Sequence, residues 1–116
     1  NLVRTWQDLG ATLLPCAQQG GHLGPTAVLQ ALGSQGLTRV FCEGGGALAA
    51  SLLAADVVDE LVTFTAGIAI GAEGTPSVGA LGVAALARAP RFDLVEQRRL
   101  GQDMMCIWRK PERMRA

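Results

Sequence analysis

The sequence predicts an α/β fold: a mixed, mostly parallel sheet flanked by helices and ending in a C-terminal antiparallel hairpin. Three observations lead there. Apolar, β-branched runs alternate with helix-forming runs in the order strand, helix, strand, helix, strand through the first part of the chain. The stretch Val40-Phe41-Cys42-Glu43-Gly44-Gly45-Gly46-Ala47-Leu48 breaks an apolar strand at three glycines and restarts as a helix. Two β-rich segments then flank Gly101-Gln102-Asp103 near the end.

The elements follow in order. Leu2, Val3, Trp6 and Leu9 recur at helical spacing and Gly10 follows as a C-cap, so the spacing predicts a short amphipathic helix. Asn1 to Trp6 reads as the interior of an element, which makes the chain a portion of something longer. Ala11 to Cys16 is an apolar run closed by a proline, read as a strand. Gln18 to Gly24 is a loop, and its His22 reads as an exposed loop residue rather than a base. Pro25 opens a helix whose inward stripe is Val28, Leu29 and Leu32 and which ends at Gly33 or Gly36. Leu37 to Cys42 is the next strand, giving a βαβ unit with parallel pairing.

Ala47 to Ala55 forms a helix with Leu48, Leu52 and Leu53 for burial, ended by Asp56, and Val57 to Ala66 returns to strand. Gly67 to Pro76 is a glycine-rich loop that reads equally as a substrate flap or a connector, with a short extended piece at Ile68 to Ile70. Ala80 to Ala89 makes a short helix before Pro90. In the first hairpin strand, Phe92, Leu94 and Glu96 fall on one face and Asp93, Val95 and Gln97 on the other.

Composition narrows the function classes. The chain has 116 residues, 49% hydrophobic and 17% charged, which suits one globular domain or less. Ten basic and ten acidic residues give no net charge, so no global field recruits nucleic acid or an anionic membrane, and no apolar run reaches the length of a membrane span. Arg109, Lys110, Arg113 and Arg115 read as a solvated basic end. Cys16, Cys42 and Cys106 have no CxxC spacing and there is one histidine, so they read as buried thiols in a reduced, cytoplasmic setting, with no metal site.

The glycine turn carries the chemistry. Three glycines permit positive φ and close backbone approach, and the N–H groups of Gly45, Gly46 and Ala47 converge at a helix N-terminus, where phosphate binds. Gly44-Gly45-Gly46-Ala47-Leu48-Ala49 satisfies G-x-G-x-x-A, but the acidic residues of the following strand, Asp59 and Glu60, stand at its beginning instead of its end, which argues against a free-standing Rossmann site. Glu43 at the mouth would repel phosphate, so it faces a neighbouring polar ligand and implies two adjoining ligands. The alternative at this point is a tight strand–helix junction without ligand, with Glu43 capping local N–H groups.

The Val40 to Leu48 stretch, then Ser51-Leu52-Leu53 and Val57-Val58-Asp59-Glu60-Leu61, resembles the C-terminal reductase domain of the bifunctional riboflavin-biosynthesis deaminase/reductase. The helix ending between Leu32 and Gly36, the Ile70-Gly71 to Gly74-Thr75-Pro76 loop and the closing hairpin fall in the same order. The resemblance implies a dihydrofolate-reductase-like fold and NADPH-dependent reduction of the ribosyl group of 5-amino-6-ribosylaminouracil 5'-phosphate to ribityl. It implies that Gly44, Gly45, Gly46 and Ala47 hold the cofactor phosphates and that Glu43 is the catalytic-site residue meeting the substrate sugar. Residues 1–116 are then the C-terminal portion of one reductase domain, without the family's first strand and lysine. Such a portion is expected to be inactive alone, to form a homodimer, and to belong to a parent chain carrying an N-terminal deaminase domain. Thr65-Ala66-Gly67 departs from the family, which places a proline before the glycine loop. Two other readings stand beside this one: a dihydrofolate-reductase-like oxidoreductase acting on a different pyrimidine or pterin, and a non-catalytic dimerisation or regulatory module on the same scaffold.

Overall fold

Each of the three α-helices among the described residues ends by the same local device. The computed structural model describes residues 1–112 and divides into two compact units, Asn1–Cys42 and the remainder from Glu43. Helices α1 (Leu2–Asp8), α2 (Pro25–Ser34) and α3 (Gly46–Ala54) are each closed by a left-handed residue, Gly10, Gly36 and Asp56 respectively. In each, two backbone N–H groups turn back onto the last turn, as Asp56 N to Leu53 O at 3.1 Å and Val57 N to Leu52 O at 3.3 Å do in α3. These are Schellman closures, which need positive φ at the residue after the cap.

In the first unit, the Asn1 side chain accepts from Val3 N at 3.2 Å at the start of α1. Gln18–Gln19 (β1) and His22–Leu23 (β2) pair antiparallel, a small hairpin inside what reads as loop from sequence. Pro25 begins α2 where its missing N–H costs nothing, and Val28, Leu29 and Leu32 are half-buried as expected. Ala11 to Cys16 and Leu37 to Cys42 form no strand. Apolar alternation supplies a face, but a strand also needs a hydrogen-bonding neighbour, and neither segment has one among the described residues. Val40 and Phe41 remain 51% and 81% exposed, which measures how little covers that predicted strand.

The second unit holds a sheet of Glu60–Thr65 (β3), Asp93–Leu100 (β4) and Asp103–Arg109 (β5), in the order β3-β5-β4. Every pairing among the described residues is antiparallel, so the mixed α/β character holds and the mostly parallel sheet is corrected. Gly101, at φ 61°, opens the two-residue β4–β5 turn, which is the predicted hairpin. Between Leu94 and Glu96 the register shifts, so Leu94 pairs with Trp108 and Glu96 with Ile107. Adjacent residues of β5 face opposite ways, so this bulge puts Leu94 and Glu96 on opposite faces, correcting their predicted common face. Across β3 and β5, Trp108 Nε1 donates to Thr63 Oγ1 at 3.1 Å, and Arg109 Nη2 reaches Glu60 Oε2 at 3.0 Å.

Three further expectations change. The helix at Ala80 to Ala89 is reduced to one 3₁₀ turn, Leu86–Arg88, because Gly82 adopts φ 65° where a helix would start. Cys42 is exposed and Cys16 and Cys106 are partly exposed, so none of the free thiols is buried. Of the basic end, Arg109 pairs with Glu60 and Lys110 is only 8% exposed, while Arg113 and Arg115 lie outside the described residues.

Lys110 closes the unit. Its Nζ donates to Asp56 O at 2.9 Å and pairs with Asp56 Oδ2 at 3.2 Å, and its backbone N donates to Asp59 O at 2.9 Å. Asp56 holds φ 58°, a conformation costing a non-glycine residue about 1 kcal/mol. Asp56→Ala therefore lowers stability by about 1–3 kcal/mol, because it keeps the strain and takes the Asp56 carboxylate away from a buried ammonium. Asp56→Gly loses the same pair but recovers about 1 kcal/mol of strain. Urea denaturation measures the order; an Asp56→Gly protein no more stable than Asp56→Ala contradicts this account.

Candidate functional site

Helix α3 positions the glycine turn. Seven of its nine residues, Gly46-Ala47-Leu48-Ala49-Ala50-Ser51-Leu52-Leu53-Ala54, are alanine or leucine, both strong helix formers, and the face it buries is Ala50 and Leu53, at 5% and 7% exposure. Leu48, predicted to face inward, is 48% exposed. It folds back over the turn instead: a Cβ on Gly44 would lie 2.5 Å from Leu48 Cδ2.

The three glycines serve different purposes. None adopts positive φ, so the predicted left-handed freedom is not used here. Gly44 makes room for Leu48. Gly46 makes room for the chain itself, since a Cβ there would meet Pro76 O at 2.6 Å, and Gly46 O accepts from Gly79 N at 2.9 Å. Only Gly45 faces open space, with nothing within 4 Å of an added Cβ. It is also the N-cap of α3, with φ −74° and ψ 177°, and provides no side-chain acceptor for the first helical N–H groups. A helix start that is sterically open and lacks a side-chain cap retains donors for an external anion.

Glu43, Gly44, Gly45 and Ala47 are exposed and Gly46 is half-buried, so the predicted site residues form one continuous surface at the start of the second unit. Among the described residues Glu43 makes no hydrogen bond or ion pair, which removes the alternative in which it caps local N–H groups. Its carboxylate is free to accept from a ligand. The sequence did not reveal the Pro76 to Gly79 segment as part of this region. The signal was Gly79, whose added Cβ would lie 3.3 Å from Gly46 O and 3.6 Å from Ala50 Cβ, a second glycine where two backbones meet.

The sequence profile of the RibD C-terminal domain matches residues 3–106. The chain belongs to the RibD C-terminal domain family. The riboflavin biosynthesis protein RibD of Escherichia coli (strain K12) is 34% identical over 101 residues, covering 87% of this chain and 27% of that protein. Two solved forms of Acinetobacter baumannii RibD share the fold. Form 2 has a TM-score of 0.76 at 24% identity, over 93% of this chain and 29% of that one. Form 1 has a TM-score of 0.76 at 23% identity, over 94% and 29%. The chain thus spans less than a third of the length of these relatives. In this RibD C-terminal domain chain, no described helix is long and apolar enough to cross a membrane.

The unequal roles of the glycines give a stability test. Gly46→Ala must displace the Pro76 carbonyl and is expected to cost about 1–3 kcal/mol. Gly45→Ala meets nothing and changes only the N-cap residue, a cost of roughly 0.5 kcal/mol. Thermal denaturation of the two variants checks the difference, and equal losses would refute the steric assignment.

Proposed function

We propose that this chain is the C-terminal portion of a riboflavin-biosynthesis reductase domain, residues 1–116, contributing the phosphate-holding turn of an NADPH site and one wall of the sugar site. The observation that carries the reading is the open, side-chain-free helix start at Gly45 within a RibD C-terminal family chain. The residues present fit a cofactor phosphate: Gly44 and Gly46 are committed to packing, and Gly45 with Ala47 offers exposed backbone. The N–H groups at this helix start would hold the anion, each phosphate gaining roughly 0.3–1 kcal/mol from the helix dipole.

NADPH, when bound, supplies the hydride. The part of this chain is to bind and orient. Glu43, one residue before the triplet, would accept hydrogen bonds from the hydroxyls of the ribosyl group and set the sugar carbon toward the cofactor. A carboxylate there also disfavours a second phosphate in the same place, which keeps the substrate's sugar and the cofactor's phosphates in separate subsites. The substrate under this reading is the phosphorylated pyrimidine 5-amino-6-ribosylaminouracil 5'-phosphate, reduced to its ribityl form. The reading includes an N-terminal deaminase domain in the parent chain, a homodimer, and a cytoplasmic location.

Three measurements on the intact protein test it. Gly45→Val puts a side chain at the open position, where an added Cβ meets nothing within 4 Å, and is expected to weaken NADPH binding about tenfold or more, read by fluorescence titration. Unchanged affinity in a folded Gly45→Val protein would sink the phosphate role. Glu43→Gln is expected to lower turnover of the aminouracil ribosyl phosphate while leaving NADPH affinity within about twofold. Turnover of dihydrofolate in preference to the aminouracil substrate would assign the scaffold to a different pterin or pyrimidine.

A further inference from the structure

At the far end of α3 from the glycine turn, ~13 Å along the helix axis, a cleft of about 590 Å³ opens against the segment running from Leu81 to Arg91. Its size lies in the range of small-molecule sites, roughly 300–1,000 Å³. The space exists because side chains around it stop at Cβ: Ala54, Ala84 and Ala87 all line it. The apolar surface comes from Leu53, Leu81 and Val83, and the polar rim from Arg88, Arg91 and Asp56.

The charges on that rim are unequal. Asp56 is already paired with Lys110 Nζ at 3.2 Å. Arg88 and Arg91, which line the cleft, have no ion pair among the described residues, so neither of their charges is matched by a carboxylate there. The carbonyl end of α3 carries negative partial charge, which would repel an anion. Here the Lys110 ammonium donates to Asp56 O at 2.9 Å and offsets it.

We infer that this cleft is a second ligand site, which takes an organic anion with a flat apolar body. The carboxylate, sulfonate or phosphate group sits on Arg88 and Arg91, where a planar guanidinium can give two parallel hydrogen bonds to paired oxygens. The ring or short aliphatic body lies on Leu53, Leu81 and Val83. The site shares a helix with the glycine turn but none of its residues, so it stands whether or not the turn holds a cofactor.

The test is calorimetric titration of the intact protein with 2-naphthalenesulfonate. Saturable binding at one site is expected, weakened about tenfold or more in Arg88→Gln/Arg91→Gln and retained within about threefold in Arg88→Lys/Arg91→Lys. Ala87→Leu keeps every charge and fills the cleft, so it should abolish binding if the body enters it. Gly45→Val should leave the titration unchanged. No saturable binding, or equal binding by wild type, the double glutamine variant and Ala87→Leu, overturns the proposal. If the double glutamine variant does not fold, Ala87→Leu together with 2-naphthol decides: an uncharged ring binding as well as the sulfonate also overturns it.

Discussion

A single buried ammonium group holds the second unit in register. Lys110 follows the last residue of β5, and its Nζ reaches the residue that terminates α3, while its backbone N–H bonds to Asp59 just before β3. One residue thus joins a helix end, a strand entry and a strand exit. The arrangement is asymmetric: the lysine side chain is 9% exposed and the aspartate side chain 67%. Most of the energetic risk therefore lies with the cation. Removing a carboxylate that water can solvate is mild for the carboxylate itself, but a buried ammonium that loses a charged partner loses compensation that water cannot readily restore.

The opposite end of α3 is fixed by a different force. There, the backbones of Gly46 and Gly79 approach closely enough to hydrogen-bond, and any side chain would collide with the Pro76 to Gly79 segment. Between these anchors the buried apolar residues are only Ala50 and Leu53. A helix with so small a buried face gets little orientation from hydrophobic area, which has no direction of its own. Ion pair and backbone contact supply that direction, and so decide where the open helix start at Gly45 points. Closed helix ends and small residues also account for the cleft beside Arg88 and Arg91, which is bounded by the same last turn that Lys110 secures.

The sheet adds a constraint of register. Central β5 is bonded on both sides, and the bulge at Val95 shifts the pairing of β4 by one residue. Since side chains alternate, that single insertion moves Glu96 to the face of Ile107 and leaves Leu94 with Trp108. Trp108 can then lie on a half-buried face with its indole N–H satisfied by Thr63.

Local chemistry was legible in the residues themselves. Gly10 and Gly36 as helix stops, Pro25 as a helix start, Asp56 as the end of α3 and Gly101 as a hairpin turn are each dictated by backbone conformations that few residues adopt, and such preferences act over three or four residues. The run from Glu43 to Ala47, with its Leu48 and VDEL neighbours, was specific enough to indicate the family. Three things needed the tertiary structure. Strand pairing did, because Leu37 to Cys42 has strand-like residues but strand formation depends on a neighbour that periodicity cannot supply. The division of labour in the triplet did, because Gly44, Gly45 and Gly46 are chemically identical and differ only in what lies beside them. The placement of Lys110 did, because a lysine near a chain end looks solvated until the fold brings a left-handed aspartate 54 positions away against it.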